Sequence, residues 1–547
     1  MRIPDNPRKS DRFLSFLCAL LVAAGILVRF SLYGENAPLW QDEAWLAMDL
    51  HSRSYAQILT SAGYAKPVPI GFGLITKTFM ELFGASEGAL RFFPFFCGVL
   101  SLILFERLLR RIADPLAGLI ALGLFCFMGS HVHYSAELKY YASDVAAILL
   151  IYWFALAADE DLRIPTWVGL AVVGVVAAWI SHAAVFALAA VAGVFVWKAV
   201  TRHDEERGGR IEFVAALWVV NGVILYLLSY GKVDSYEGWR QMWSQAFCPP
   251  LWTREGVRWL ADALWDFYRN PLFLTFPSVG IAALAIGFWQ AVLGKPAGLV
   301  DETHRKQPFI AAVWTLSLLL ILIASLLHKF PFSGRVLLFL APGALLFIGQ
   351  GISCLVRTGP IGGLAGCVLL VFLWYPLGKP SSAEAFGLNI KPDMRSAVSY
   401  LKFRVRQNDA LYLNNAAQFA ASYYAALRIP GAFPKTVGVL GDFVRKDETG
   451  RPFIQIFHPQ CSCDSWVYSD HRLVPGRINA KQHSIHSLYG HSRTWILFAE
   501  SDPPERKFFL EYLNAFGKKV DEFRAEGVEI YLYDLSPPDP KVSREIL

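Results

Sequence analysis

A succession of apolar runs, each about as long as a bilayer core is thick, leaves this chain few possible folds. Crossing hydrocarbon takes about 20 helical residues, with a range of about 17–25, and only helices or closed barrels satisfy their backbone there. On that measure the sequence predicts about eleven transmembrane helices, near residues 13–33, 87–106, 115–132, 140–158, 165–180, 182–199, 211–230, 272–293, 309–328, 335–355 and 360–377. The fifth and sixth form a tight hairpin around Ser181-His182. Composition agrees: 54% of the 547 residues are hydrophobic and 18% are charged, against about 45–50% and about 25% in soluble domains. The basic start, followed by an apolar run without a small-residue cleavage site, reads as an uncleaved first helix. The net charge of +6 reports orientation first in such a chain, so nucleic-acid binding is not expected.

Basic residues settle the sidedness. Arg107, Arg110, Arg111, Arg163, the loop from Lys198 to Arg210, Lys295, Arg305, Lys306 and Arg357 fall on one side, which the positive-inside rule makes cytoplasmic. The opposite side receives a first loop at 34–86, a second large loop at 231–271, the turns around 131–139 and 328–335, and the tail. With no Asn-x-Ser/Thr sequon in the chain, a bacterial cytoplasmic (inner) membrane is expected, with a periplasmic or extracellular C-terminal domain.

Residues 1–379 therefore form a membrane domain, and 380–547 a small α/β domain. In the first loop, Asp42–Ser61 and Pro69–Phe83 show apolar residues at helical spacing and predict helices lying in the interface plane. In the tail, 391–405, 416–427 and 505–516 predict helices, and 410–413, 495–499 and 529–533 short buried strands. The aromatic-rich loop from Lys232 to Asn270 suits interfacial anchoring or stacking on sugar rings. Cys18, Cys97, Cys126, Cys354 and Cys367 lie in apolar runs as small hydrophobes. Cys461-Ser-Cys463 lacks zinc-ribbon spacing, and a disulfide there is open.

Ionisable residues at membrane depth or at its edge are costly and are functional candidates for that reason. In Trp40-Gln41-Asp42-Glu43-Ala44-Trp45 two adjacent carboxylates follow the first span. Neighbours point in different directions, so they do not share one proton; one can act as base while the other orients a partner. Their plainer role is to complement a helix N-terminus. Lys66 precedes a stiff Pro67-Val68-Pro69 turn. Arg91 and Lys139 lie near span starts, and Tyr140, Tyr141 and Asp144 follow Lys139. Lys139 and Asp144 are five apart, so each should have another partner. Arg335 follows His328 and opens the tenth span. Singly, each cation could be snorkelling; together they could ring a phosphate near a reactive carboxylate.

These residues carry a resemblance. Trp40–Trp45, Ala65-Lys66-Pro67-Val68-Pro69-Ile70, Leu82–Ser86 with Ala89–Pro94, Glu137-Leu138-Lys139-Tyr140-Tyr141-Ala142-Ser143-Asp144, and Lys329–Pro342 resemble, in order, segments of GT-C glycosyltransferases of the protein mannosyltransferase and lipid A aminoarabinose transferase kind. The resemblance implies a GT-C fold with interfacial helices in the first outer loop. It also implies a polyprenyl-phosphate sugar donor, Asp42 as catalytic base with Glu43 as companion, and Lys66, Lys139 and Arg335 on the donor phosphate. Arg91, Tyr140, Tyr141, Asp144 and His328 would support them. Where those transferases carry an arginine two positions after the glutamate, this chain has Trp45, so phosphate neutralisation must be shared differently.

The implied reaction is sugar transfer with inversion to a hydroxyl on a glycolipid, glycan or protein, with membrane lipids as surroundings. No cofactor is required; a divalent metal ion is left open, with His131 and His133 as weak candidates. Three rivals are a transporter or flippase of a lipid-linked glycan, a lipid-binding or assembly protein whose C-terminal domain is the working part, and a ligase or polymerase using a lipid-diphosphate donor. Against transport, the charges cluster at the outer rim, and no repeat of the spans is evident.

Overall fold

The computed structural model describes residues 7–60, 68–228, 243–274, 276–293, 302–374, 391–406, 409–414, 416–428, 438–439, 445–446, 452–453, 488–499 and 503–536. Lys66, Tyr236, Trp239, Cys461 and Cys463 lie outside them.

Each predicted span is occupied by an apolar helix. Seven helices are long and apolar enough to cross a membrane, an eighth candidate is a bent pair, and three are shorter: Ile164–Ile180, Pro277–Leu293 and Pro360–Leu373. In chain order the first eleven helices are α1 (Pro7–Gly34), α2 (Gln41–Ser52), α3 (Tyr55–Thr60), α4 (Ile70–Phe83), α5 (Glu87–Ile112), α6 (Pro115–Phe127), α7 (Gly129–Ser135), α8 (Tyr141–Glu160), α9 (Ile164–Ile180), α10 (Ala184–Arg202) and α11 (Glu205–Leu228). Local chemistry sets several ends. Ser86 Oγ accepts the Ala89 N–H at the start of α5. Asp114 accepts from Leu116 and Ala117, with Pro115 inside the first turn of α6, where its missing N–H has no role. Gly84, at φ +78°, stops α4.

The third span is not the straight helix expected at 115–132. It breaks after Phe127 with a bend of 51° and continues as α7. A break frees carbonyls that hydrocarbon cannot solvate, and Arg29 of α1 meets them. Its guanidinium donates to Cys126 O at 2.8 Å and Gly25 O at 2.9 Å, and it lies 2.7 Å from His131 Nδ1.

Close backbone approach holds other helices together. A Cβ on Gly287 would stand 1.9 Å from Phe347 O, and one on Gly351 would stand 1.9 Å from Ala283 O. Helices Pro277–Leu293 and Ala341–Arg357 therefore touch main chain to main chain, as small residues allow in membranes. At the end of the bundle expected to face the cytoplasm, basic residues pair across helices: Lys198 with Asp159 at 2.6 Å, and Arg111 and Lys306 with Glu160 at 2.5 and 3.0 Å.

The C-terminal residues build a five-stranded sheet in the order β2 (Gly438–Val439), β1 (Ala410–Leu413), β5 (Thr494–Ala499), β7 (Val528–Asp534), β6 (Lys518–Ala525). β1 runs parallel to β2 and β5, and β7 runs antiparallel to β5 and β6. A separate pair, β3 (Arg445–Lys446) and β4 (Pro452–Phe453), is antiparallel. Strand β6, charged and largely exposed, was not expected; charge is how an edge strand resists further pairing. Helices at 394–402, 418–423 and 503–516 accompany the sheet.

This domain does not stand apart. Its Met394, Leu401, Leu411, Phe419 and Trp495 share one buried apolar cluster with Leu39, Ala44, Leu46, Ala47 and Leu50. Helix α2, expected to lie in the interface plane, is buried on most sides beneath the domain. Its first turn is held between membrane helices and tail.

Candidate active site

The two adjacent carboxylates part company at the start of α2. Asp42 Oδ2 accepts from Lys139 Nζ at 3.1 Å and lies 4.0 Å from Arg335. Glu43, fully buried, turns to the other side. Arg91 grips it in a fork, with Nε on Oε1 at 2.8 Å and Nη2 on Oε2 at 2.6 Å. The Leu138 N–H donates to Oε1 at 2.7 Å and Lys391 Nζ to Oε2 at 3.1 Å. Burial pushes the Glu43 carboxyl upward, but Arg91 and then Lys391 outweigh it and hold it below the usual carboxylate range. Glu43 thus spends its oxygens on partners from distant elements. Arg91 also binds Ala37 O and Pro38 O at 2.6 and 3.2 Å, fixing the peptide that leads into α2.

Lys139 comes from the turn between α7 and α8. Its ammonium also lies over the Trp40 ring, 5.6 Å from the centroid. Trp40 Nε1 donates to Glu137 at 2.5 Å, and His133 Nε2 lies 2.6 Å from the other Glu137 oxygen. Burial opposes the charge on Glu137, yet His133, Lys391 and Lys139 hold its carboxyl well below the ordinary value. Glu137 was missed among the expected site residues. Its position two residues before Lys139, in a turn at the membrane edge, was the available signal.

Arg335 enters from a 3-10 turn, Gly334–Leu340, and its guanidinium faces the Tyr141 ring at 5.7 Å. Gly334, at φ +48°, admits the turn that delivers it. Lys139, Tyr140, Tyr141 and Arg335 line the polar end of a cavity of about 780 Å³. The remainder of the wall is apolar and runs along α10 and α11, through Val185, Ala189, Ala192, Val219 and Leu225. Lys329 and His182 also line it, and burial lowers the His182 imidazole to about 4.

Other expected residues are placed elsewhere. Asp144 is buried in α8 with Ser181 as its partner, so Lys139 and Asp144 do have separate partners. His328, at φ +56°, packs its ring on Phe247 at 5.1 Å. His131 stacks on Phe125 at 4.6 Å and meets Arg29. Among the described residues no three His, Cys, Asp or Glu side chains converge as a metal site would require. Trp45 stacks on Phe419 of the tail, 5.0 Å between centroids and 9° between planes. The position where similar transferases place an arginine serves domain docking here.

Residues 67–226 match the family model described as dolichyl-phosphate-mannose-protein mannosyltransferase. Over that segment the match agrees with the resemblance to protein mannosyltransferases read from the motifs. Among solved structures, ArnT from Cupriavidus metallidurans in the apo state is similar at 14% identity, with 95% of this chain and 99% of that chain covered and a TM-score of 0.41. The same protein bound to undecaprenyl phosphate gives 13% identity, the same coverage and 0.41. The archaeal oligosaccharyltransferase AglB from Archaeoglobus fulgidus, in complex with an inhibitory peptide and a dolichol-phosphate, gives 12% identity, 91% and 81% coverage and 0.48. No curated protein matches the chain.

Proposed function

We propose that this protein transfers a sugar, with inversion, from a polyprenyl-phosphate donor to a hydroxyl acceptor on the periplasmic face of a bacterial inner membrane. The observation that carries the proposal is the Asp42 carboxylate held beside Lys139 and Arg335, two cations that line the polar end of a largely apolar cavity. An isoprenoid tail suits the apolar wall along α10 and α11, and a phosphodiester suits the cations at its end. Around the proposed base, Lys139 and Arg335 bring two positive charges against the one negative charge of Asp42, leaving one for the single negative charge of a phosphodiester.

Chemistry follows from that placement. The acceptor oxygen attacks the anomeric carbon and gives its proton to Asp42 as general base. The bond from that carbon to the phosphate oxygen breaks, and its electron pair leaves with the polyprenyl phosphate. Lys139 and Arg335 stabilise the charge that grows there. One displacement inverts the anomeric centre, and no acid is needed for a leaving group already anionic. Glu43 holds Arg91 and the first turn of α2. Lys66, outside the described residues, would join the phosphate ligands if the motif resemblance holds.

Purified protein in detergent, given a panel of radiolabelled undecaprenyl-phosphate hexoses and pentoses with membrane extract as acceptor source, tests the reading. Transfer by the wild type and its loss in Asp42→Asn are expected. A variant that transfers at the wild-type rate would remove Asp42 from the role of base. Transport of the intact lipid without transfer would replace the enzyme reading with the flippase one.

A further inference from the structure

Glu43 and Glu137 are both buried carboxylates, and they sit close enough for each to raise the cost of ionising the other. Buried charge of one sign persists only when counter-charge is delivered to it. Arg91, from α5, matches Glu43. His133 Nε2 lies 2.6 Å from Glu137, and a further cation comes from far along the chain: Lys391, whose side chain is 18% exposed, reaches Glu43 Oε2 at 3.1 Å and also acts on Glu137 after His133. It belongs to the segment that opens the C-terminal domain, three residues before helix Met394–Lys402.

We infer that Lys391 is a positioning residue by which the C-terminal domain completes the reaction centre: it balances the Glu43–Glu137 pair and so leaves Lys139 and Arg335 to Asp42 and to a donor phosphate. Without it, Lys139, which already feels Glu137 while bonding Asp42, is drawn toward an under-neutralised Glu137. The tail also grips the surrounding frame. Arg395 donates to Glu87 Oε1 and to Asn36 O, both at 2.7 Å. The Leu39 N–H donates to Tyr424 Oη at 2.9 Å, and Phe419 lies on Trp45. These contacts bind the domain to the loop and to α2; Lys391 alone among them reaches a carboxylate adjacent in sequence to Asp42.

The inference rests on the reading of Asp42 as base, so the test carries both. In full-length protein, Lys391→Met, Lys391→Arg, Arg395→Met and Asp42→Asn are compared for thermal midpoint, for binding of undecaprenyl phosphate, and for kcat and KM with whichever undecaprenyl-phosphate sugar of the panel is transferred. Lys391→Met, folded and still binding the lipid phosphate, should lose about tenfold or more in kcat, with a smaller change in donor KM and recovery in Lys391→Arg. Arg395→Met, which loosens docking without touching Glu43, should stay within about threefold of wild type. Wild-type kcat in Lys391→Met overturns the inference, as does an equal loss in Arg395→Met, which would make docking the whole effect. If Asp42→Asn is inactive while Lys391→Met is not, only the inference fails. If Asp42→Asn remains active, the proposed function fails first.

Discussion

Lys139 Nζ donates to Asp42 Oδ2 at 3.1 Å across 97 positions of sequence, joining the turn before α8 to the first turn of α2. That bond places a carboxylate beside Lys139 and Arg335, which line the apolar cavity. Removing the carboxylate's charge should therefore act on chemistry. Asp42→Asn should lower the transfer rate by about 10²–10⁴-fold, the range for a general base, while undecaprenyl phosphate still binds. Steady-state transfer and lipid binding measured on one preparation check it.

The two cations should divide differently between binding and catalysis. Lys139→Met and Arg335→Met each remove a donor from the proposed phosphate site, and loss of one such donor typically costs about 10²–10³ in kcat. Arg335 is the less tightly held to Asp42, at 4.0 Å, so Arg335→Met should also weaken binding of free undecaprenyl phosphate. Equal affinity of wild type and Arg335→Met for that lipid would count against the phosphate contact.

His182 gives a pH signature. Its folded value of about 4 lies below the ordinary imidazole value of about 6.5, so between these limits the unfolded chain takes up a proton that the folded chain refuses. Stability from keeping this ring neutral is complete above about pH 6.5 and is lost as pH falls toward about 4. Thermal midpoints of wild type and His182→Gln, measured from pH 8 to 4.5, should converge as the pH is lowered.

Arg29 should be structural. Arg29→Met removes the donor to Cys126 O at the break, and hydrogen bonds to a charged group are worth about 1.5–3 kcal/mol. A fall in thermal midpoint is expected, checked by unfolding in detergent, and a fully active variant with unchanged midpoint would show that the bend holds without it.

Gly287 tests the helix contact. Gly287→Val drives a side chain into Phe347 O, and overpacking of this kind costs about 1–3 kcal/mol or more. Loss of monodisperse protein on gel filtration is the expected outcome, whereas Gly209→Val, which meets nothing within 4 Å, should behave as wild type.

Much of this molecule was legible because hydrocarbon imposes strict rules on sequence. Apolar helices occupy the stretches that length and apolarity marked, and the strands around Trp495 and Ile530 stand where short buried runs were read. The separate directions of Asp42 and Glu43 followed from adjacency alone. What could not be read were relations between remote elements. Nothing in Gly129–Ser135 says that the span has already bent, because the group that meets the freed carbonyl of Cys126 is an arginine on α1. Lys391 gives no local hint that its partner lies 348 positions earlier. Trp45 looked like a departure from a pattern and became intelligible only with Phe419 against it. Strand β6, polar and exposed, carries no burial signal to detect.

The cluster that buries α2 against Met394, Leu411 and Phe419 also has a temporal meaning. Ribosomes deliver the bundle first and the sheet last, so the first turn of α2 waits for a partner made hundreds of residues later. A half-built bundle would already hold the cavity but not the fixed carboxylate. The proposed centre is thus complete only once the sheet has formed against α2.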